Sequence, residues 1–122
     1  MTEAEYIAEF RARWPRQSDT DTSIDIVLRL ADDAVRDVPS SPKFWVIRGD
    51  LIQLGSGETP HTLEDALASY RTAARLDPGY AEAWEKIGHY YDAILDDEVT
   101  ARPYFEKARQ LRQSEVNSQA SL

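Results

Sequence analysis

The chain has 122 residues, 42% of them apolar, with three Trp, six Tyr, no Cys and a formal charge of -8. That length suits one domain with a genuine core, the missing cysteines exclude disulfides, thiolate catalysis and zinc ribbons, and the acidic balance opposes nucleic-acid phosphates and anionic lipid alike. The N-terminal "MTEAEYIAEFRARW" has acids where a secretion signal needs basic charge, and no run approaches the ~20 apolar residues of a membrane span, so a soluble cytoplasmic protein is expected.

Periodicity predicts six helices. In the first, Thr2 and Glu5 form a capping-box pattern, Tyr6, Ile7, Phe10 and Trp14 share a face, and Pro15 ends the run. The second carries Ile24, Val27, Leu28, Ala31, Ala34, Val35 and Val38 at steps of three and four until Pro39. Ser41 as N-cap and Pro42 as first residue open the third, which runs through Phe44, Trp45, Leu51 and Ile52 to Gly55. The fourth starts near Thr62 and buries Leu63, Ala66, Leu67, Tyr70, Ala73 and Ala74; Tyr80 to Leu95 make the fifth, with Trp84, Ile87, Tyr91 and Leu95 inward. The sixth starts near Thr100, which would put Pro103 in the first turn, where no intrahelical donor is required.

The sequence also resembles itself. Pro39 and Trp45 stand six apart, as do Pro78 and Trp84, and an offset of 39 carries Ala34 to Ala73, Pro39 to Pro78 and Gly49 to Gly88. An offset of 35 carries Ala66, Tyr70 and Ala73 to Ala101, Phe105 and Ala108. The stretch Trp84-x2-Ile87-Gly88-x2-Tyr91, followed by Ala101-x3-Phe105-x2-Ala108, resembles the tetratricopeptide repeat pattern. The copy before it keeps Trp45, Gly49, Ala66, Tyr70, Ala73 and Pro78 but has Arg48 and Ile52 where Leu and Tyr are usual; an N-terminal copy keeps Val27, Ala31, Ala34 and Pro39. Together the copies cover about residues 23 to 113.

The resemblance implies an all-α helical-hairpin solenoid: six antiparallel helices in three pairs over residues 1–113, followed by a flexible polar tail over 114–122. Against the family's 34-residue repeat, the two offsets hold about five and one surplus residues, and the larger surplus lies in the "GSGETPH" loop of residues 55–61. A phosphate cradle there would need a preceding strand or a Lys, so a lengthened loop is expected instead. Small residues, Gly49, Gly88, Ala66, Ala73, Ala101 and Ala108, should stand where antiparallel helices approach, beside Trp45, Trp84, Tyr70 and Phe105.

Catalytic chemistry has few candidates. His61 is expected in solvent within the lengthened loop, and His89, Asp92 and Asp96 read as a solvated acidic face in preference to a metal site. Asp96, Asp97 and Glu98 read as a turn between helices, and the nucleophile-elbow and phosphate-loop signatures are missing. A protein that is not an enzyme, with no metal and no cofactor, is expected.

Stacked hairpins leave a concave surface lined by the first helix of each pair. Helical geometry places Lys43, Val46, Ile47, Asp50, Gln53 and Leu54 on one wall and Glu82, Glu85, His89, Asp92 and Asp96 on the other. The resemblance implies a protein or peptide partner in that groove. Chaperone-binding members grip a C-terminal carboxylate with Lys, Arg and Asn, whereas the matching positions here are Val46, Asp50, Glu85 and His89, so a basic or amphipathic segment fits better. The alternative is a homodimer formed through the terminal helices, with Tyr104, Leu111 and Val116 exposed where a further repeat would stack.

Overall fold

The computed structural model describes residues 1–14, 21–55 and 61–120. Pro15 and most of the 55–61 loop lie outside them. Among the described residues the elements are α1 (Glu3–Arg13), α2 (Asp21–Asp37), α3 (Pro42–Leu54), α4 (Leu63–Leu76), α5 (Ala81–His89), a π-helical turn (Tyr90–Ile94) and α6 (Glu98–Ala120). Each odd-numbered helix packs on the even-numbered one after it, and α3 also touches α5, which stacks the three hairpins. None of these helices is long and apolar enough to cross a membrane.

The helix starts obey local chemistry. Thr2 Oγ1 accepts from the Glu5 amide at 3.2 Å while Glu5 Oε1 accepts from the Thr2 amide at 3.0 Å, the reciprocal box that the sequence spacing predicts. Thr62 and Asp65 repeat it at the start of α4. Ser41 occupies the N-cap of α3, with Pro42 in the first turn, but its hydroxyl is turned to Glu3 Oε1 at 3.5 Å and makes no cap bond.

Small-against-large packing sets the hairpin spacing. A Cβ added at Gly49 would lie 2.5 Å from the Tyr70 ring, and one at Gly88 would lie 2.8 Å from the Phe105 ring, so each glycine leaves the space that a ring of the facing helix fills. Ala66, Ala73, Ala101 and Ala108 are buried beside them. The two tryptophans repeat one bond: Trp45 Nε1 donates to the Pro39 carbonyl and Trp84 Nε1 to the Pro78 carbonyl, both at 2.9 Å. Each indole thereby ties a helix to the turn that precedes it.

At the N-terminal end, Tyr6 and Phe10 pack on Phe44 with ring centroids 5.8 Å away in both pairs, seating α1 on α3 as well as on α2. The Tyr6 hydroxyl donates to the Asp37 carboxylate at the end of α2. That bond pushes the Tyr6 hydroxyl up to about 12 and holds Asp37 below the usual carboxylate range.

Three local expectations are corrected. The surplus residue in the second full repeat falls between Gly88 and Ala101, where α5 widens into the π turn, with the Leu95 amide donating to the Tyr90 carbonyl at 3.3 Å. That extra residue rotates the succeeding side chains off the helical register, so Leu95, expected inward, is 51% exposed, and Asp96 leaves the helix with φ 51°. Next, α6 begins at Glu98 because Asp97 caps it, accepting the Thr100 amide at 3.1 Å and the Thr100 hydroxyl at 2.6 Å. Pro103 therefore lies beyond the first turn, and the Val99 carbonyl it cannot serve sits at an exposed residue. Finally, α6 runs to Ala120, over residues expected as a polar tail.

Candidate binding groove

One surface of the stack is formed by α1, α3 and α5, and it holds two adjoining concavities. The first, about 220 Å³, lies between α1 and α3 and is lined by Ile7, Phe10, Arg11, Trp14, Lys43 and Ile47. The second, about 320 Å³, lies between α3 and α5 and is lined by Trp14, Asp50, Gln53, Leu54, Tyr70, Lys86 and His89. Trp14 borders both.

The floor of the second is a polar set fixed by packing. Tyr70 reaches from α4 under Gly49, and its hydroxyl donates to Asp50 Oδ1 and accepts from Gln53 Nε2, both at 2.6 Å. Lys86 Nζ lies 3.2 Å from Asp50 Oδ2, joining α5 to α3. Burial pushes the Asp50 carboxyl above the usual range, against the bond from Tyr70 and the Lys86 charge. Burial also raises Tyr70, with the Asp50 charge adding to it, so its hydroxyl stays protonated at neutral pH. The result is a preset array of donors and acceptors, with Leu54 and Trp14 as apolar walls.

Of the residues expected on the groove, Lys43, Ile47, Asp50, Gln53, Leu54 and His89 line it. Val46 does not: it is 2% exposed and belongs to the core. Glu85 is turned away, bonded to Arg112 of α6, which holds its carboxyl below the usual range. Glu82 is half-buried and accepts from the Tyr80 hydroxyl at 3.0 Å. Asp92 is exposed on the π turn, and Asp96 lies past it. Among the described residues no three His, Asp or Glu side chains gather as a ligand set. The His89 ring stands edge-on to Phe105 at 5.0 Å.

Ile7, Phe10, Arg11 and Trp14 of the first helix, with Tyr70 and Lys86, also line the groove and lie outside the set that the sequence predicts. The 39-residue offset could have found Lys86, since it is the counterpart of Ile47 just as His89 is the counterpart of Asp50. A wheel drawn for α5 alone puts Glu85 in the groove because it ignores α6, which occupies that side.

A second polar cluster lies where α2, α3 and α4 meet. Arg48 donates to Asp32 Oδ1 at 2.9 Å and to Ser69 Oγ at 2.5 Å, and its Nη2 lies 3.3 Å from His61 Nδ1. His61 Nε2 is 2.8 Å from Asp32 Oδ2. His61 is thus not solvated as expected; its side chain is 16% exposed and pins the end of the lengthened loop. Ser69 also donates to the Asp65 carbonyl at 3.0 Å, so its hydroxyl is bonded to Arg48 and the backbone, and Ser, His and Asp form no nucleophile and base pair. Arg48, the departure from the repeat pattern, is the hub.

The chain is similar to part of the human Protein O-mannosyl-transferase TMTC1, 30% identical over 104 aligned positions, a match that covers 82% of this chain and 11% of that protein. It is also similar to part of Superkiller protein 3 of Schizosaccharomyces pombe, 38% identical over 60 residues, 49% of this chain and 4% of that one. The fold is a tetratricopeptide-like stack of helical hairpins. The chain thus spans about a tenth or less of the length of these relatives. No family model matches it, and no solved structure matches it.

Proposed function

We propose that the chain is a non-catalytic protein-interaction module that holds an amphipathic peptide or helix along α1, α3 and α5. The observation that carries this reading is the pair of adjoining concavities on those three helices, one apolar and one with a fixed polar floor. An amphipathic segment matches that alternation, since its apolar side chains fill pockets while its polar groups meet Gln53, Lys86 and His89. A strongly basic segment is less well supported than the sequence suggests, because Glu85 is engaged by Arg112 and Asp50 by Lys86. The transferase activity in one relative's name is not carried over, since the chain spans 11% of that protein.

The test is co-purification on the intact chain with quantitative mass spectrometry. Leu54→Asp with His89→Glu should lower recovery of a partner at least tenfold, while Lys107→Glu, on the exposed side of α6, leaves it unchanged; partners indifferent to the groove pair would refute the reading.

A second reading, end-to-end self-association through α6, is favoured by Val99 and Val116, which are 77% and 62% exposed. Tyr104 is not available for it, being stacked between Trp84 and Tyr91 at 6.1 and 5.6 Å. At the 35-residue offset, buried Ala74 becomes Arg109, which is exposed and paired with Glu106, so the stacking face is polar. Light scattering across a hundredfold concentration range tests this reading, and constant monomer mass would remove it.

A further inference from the structure

We infer that the pocket between α1 and α3 takes an apolar side chain from a partner segment whose neighbouring residues are acidic; this rests on the groove-binding reading. The pocket is lined by Ile7, Phe10, Trp14 and Ile47, with Arg11 and Lys43 the charged lining residues and no carboxylate among them. In a chain with 22 acids against 14 bases, a concavity with cations and no acid is a local reversal of the net field.

The two cations are also uncommitted. Arg13, Arg36, Arg102 and Arg109 each pair with an acid three or four residues away, and Arg48, Lys86 and Arg112 pair across helices. No acid stands three or four residues from Arg11 or Lys43. The acid nearest Arg11 along α1, Glu9, is bound to Arg13 at 2.8 Å. Among the described residues, neither Arg11 nor Lys43 has a carboxylate within ion-pair distance.

Apolar walls with a cationic rim favour one arrangement of partner. A Leu, Ile or Phe side chain loses its hydration on the Ile7, Trp14 and Ile47 surface, while Asp or Glu beside it meets Arg11 and Lys43. A Lys or Arg in the same place would face two like charges. The adjoining concavity, with Asp50 already paired to Lys86, adds no competing acid field at this end.

Three sets of labelled twelve-residue peptides, each with a central Leu-Phe pair flanked by Glu and Asp, by Ser or by Lys, test this by fluorescence anisotropy on the full chain. The acidic set is expected to bind at least tenfold tighter than the lysine set, with the order inverted by Arg11→Glu and Lys43→Glu together. Trp14→Ala, exposed and outside the core, should weaken every set, and circular dichroism checks that each variant folds. Equal binding of all sets that is lost on Trp14→Ala overturns the charge preference and leaves the groove reading standing. Binding by no set overturns both. Concentration-dependent dimerisation abolished by the Arg11 and Lys43 reversals, without peptide binding, assigns the pocket to a second copy and also overturns the proposal.

Discussion

The second and third hairpins share a backbone plan and differ in what fills it. In both, a glycine meets a ring, Gly49 with Tyr70 and Gly88 with Phe105, and an indole donates to a proline carbonyl at 2.9 Å. Yet Asp32 of α2, Arg48 of α3 and Ser69 of α4 correspond by the offsets to Arg71 of α4, Ile87 of α5 and Tyr104 of α6. The first set makes a hydrogen-bonded polar pin, while the second makes an aromatic stack of Trp84, Tyr104 and Tyr91, with Arg71 over Tyr91. The repeat pattern therefore fixes helix approach, and the residues between the anchors choose the interior chemistry.

The largest effect should come from forcing one interior onto the other. Ile87→Arg would bury a cation at a position 1% exposed, where the counterpart of Asp32 is Arg71, a cation in place of an acid. We expect a loss of about 3 to 5 kcal/mol in urea unfolding, the scale of an uncompensated buried charge; a loss below about 1 kcal/mol would mean the two interiors are interchangeable.

Next come the glycines. Gly49→Ala and Gly88→Ala should each cost about 1 to 3 kcal/mol through overpacking. Gly49 should cost more, because Tyr70 is held at its hydroxyl by Asp50 and Gln53 while Phe105 is only half-buried and can shift. Equal thermal shifts would show that the hydroxyl bonds do not stiffen the ring.

Arg48→Leu restores the usual repeat residue but strips partners from Asp32, Ser69 and His61. The cost should be about 1 to 2 kcal/mol, lost hydrogen bonds being partly offset by added apolar area. Stabilisation by this change would mean the polar pin is no support for the hairpin.

The smallest effect is electrostatic and separates two carboxylates. Asp65 is held low, first by the Thr62 amide, so its cap contributes stability above the unfolded carboxylate pKa and loses it as pH falls through the lower folded value. Asp50 is pushed up by burial, so its contribution is present below the unfolded value and lost as pH rises through the folded one. A carboxyl-carbon NMR titration should place Asp50 above Asp65, and the reverse order would contradict the buried floor.

How much of this is legible in the sequence varies by residue. The 39-residue offset places Gly49 and Gly88 and both hairpins, because each anchor has one structural role that spacing alone reveals. Glu85 and Val46 are misplaced for a different reason. A helix inside a stack has several neighbours, and a two-faced wheel cannot say which polar residue faces solvent and which faces the next helix. His61 escapes because its partner Asp32 lies 29 residues away across a loop, a distance no local pattern spans. The π turn is visible only as one surplus residue in the 35-residue offset.

The central claim is that partner contact is made on α1, α3 and α5. A photo-reactive benzoylphenylalanine placed in turn at Lys43, Gln53 and His89, and as controls at Arg29 and Arg75, tests it most directly. Cross-links to a partner are expected from the three groove positions and none from the exposed sites on α2 and α4. Cross-links from Arg29 or Arg75, with the groove positions silent, would contradict it.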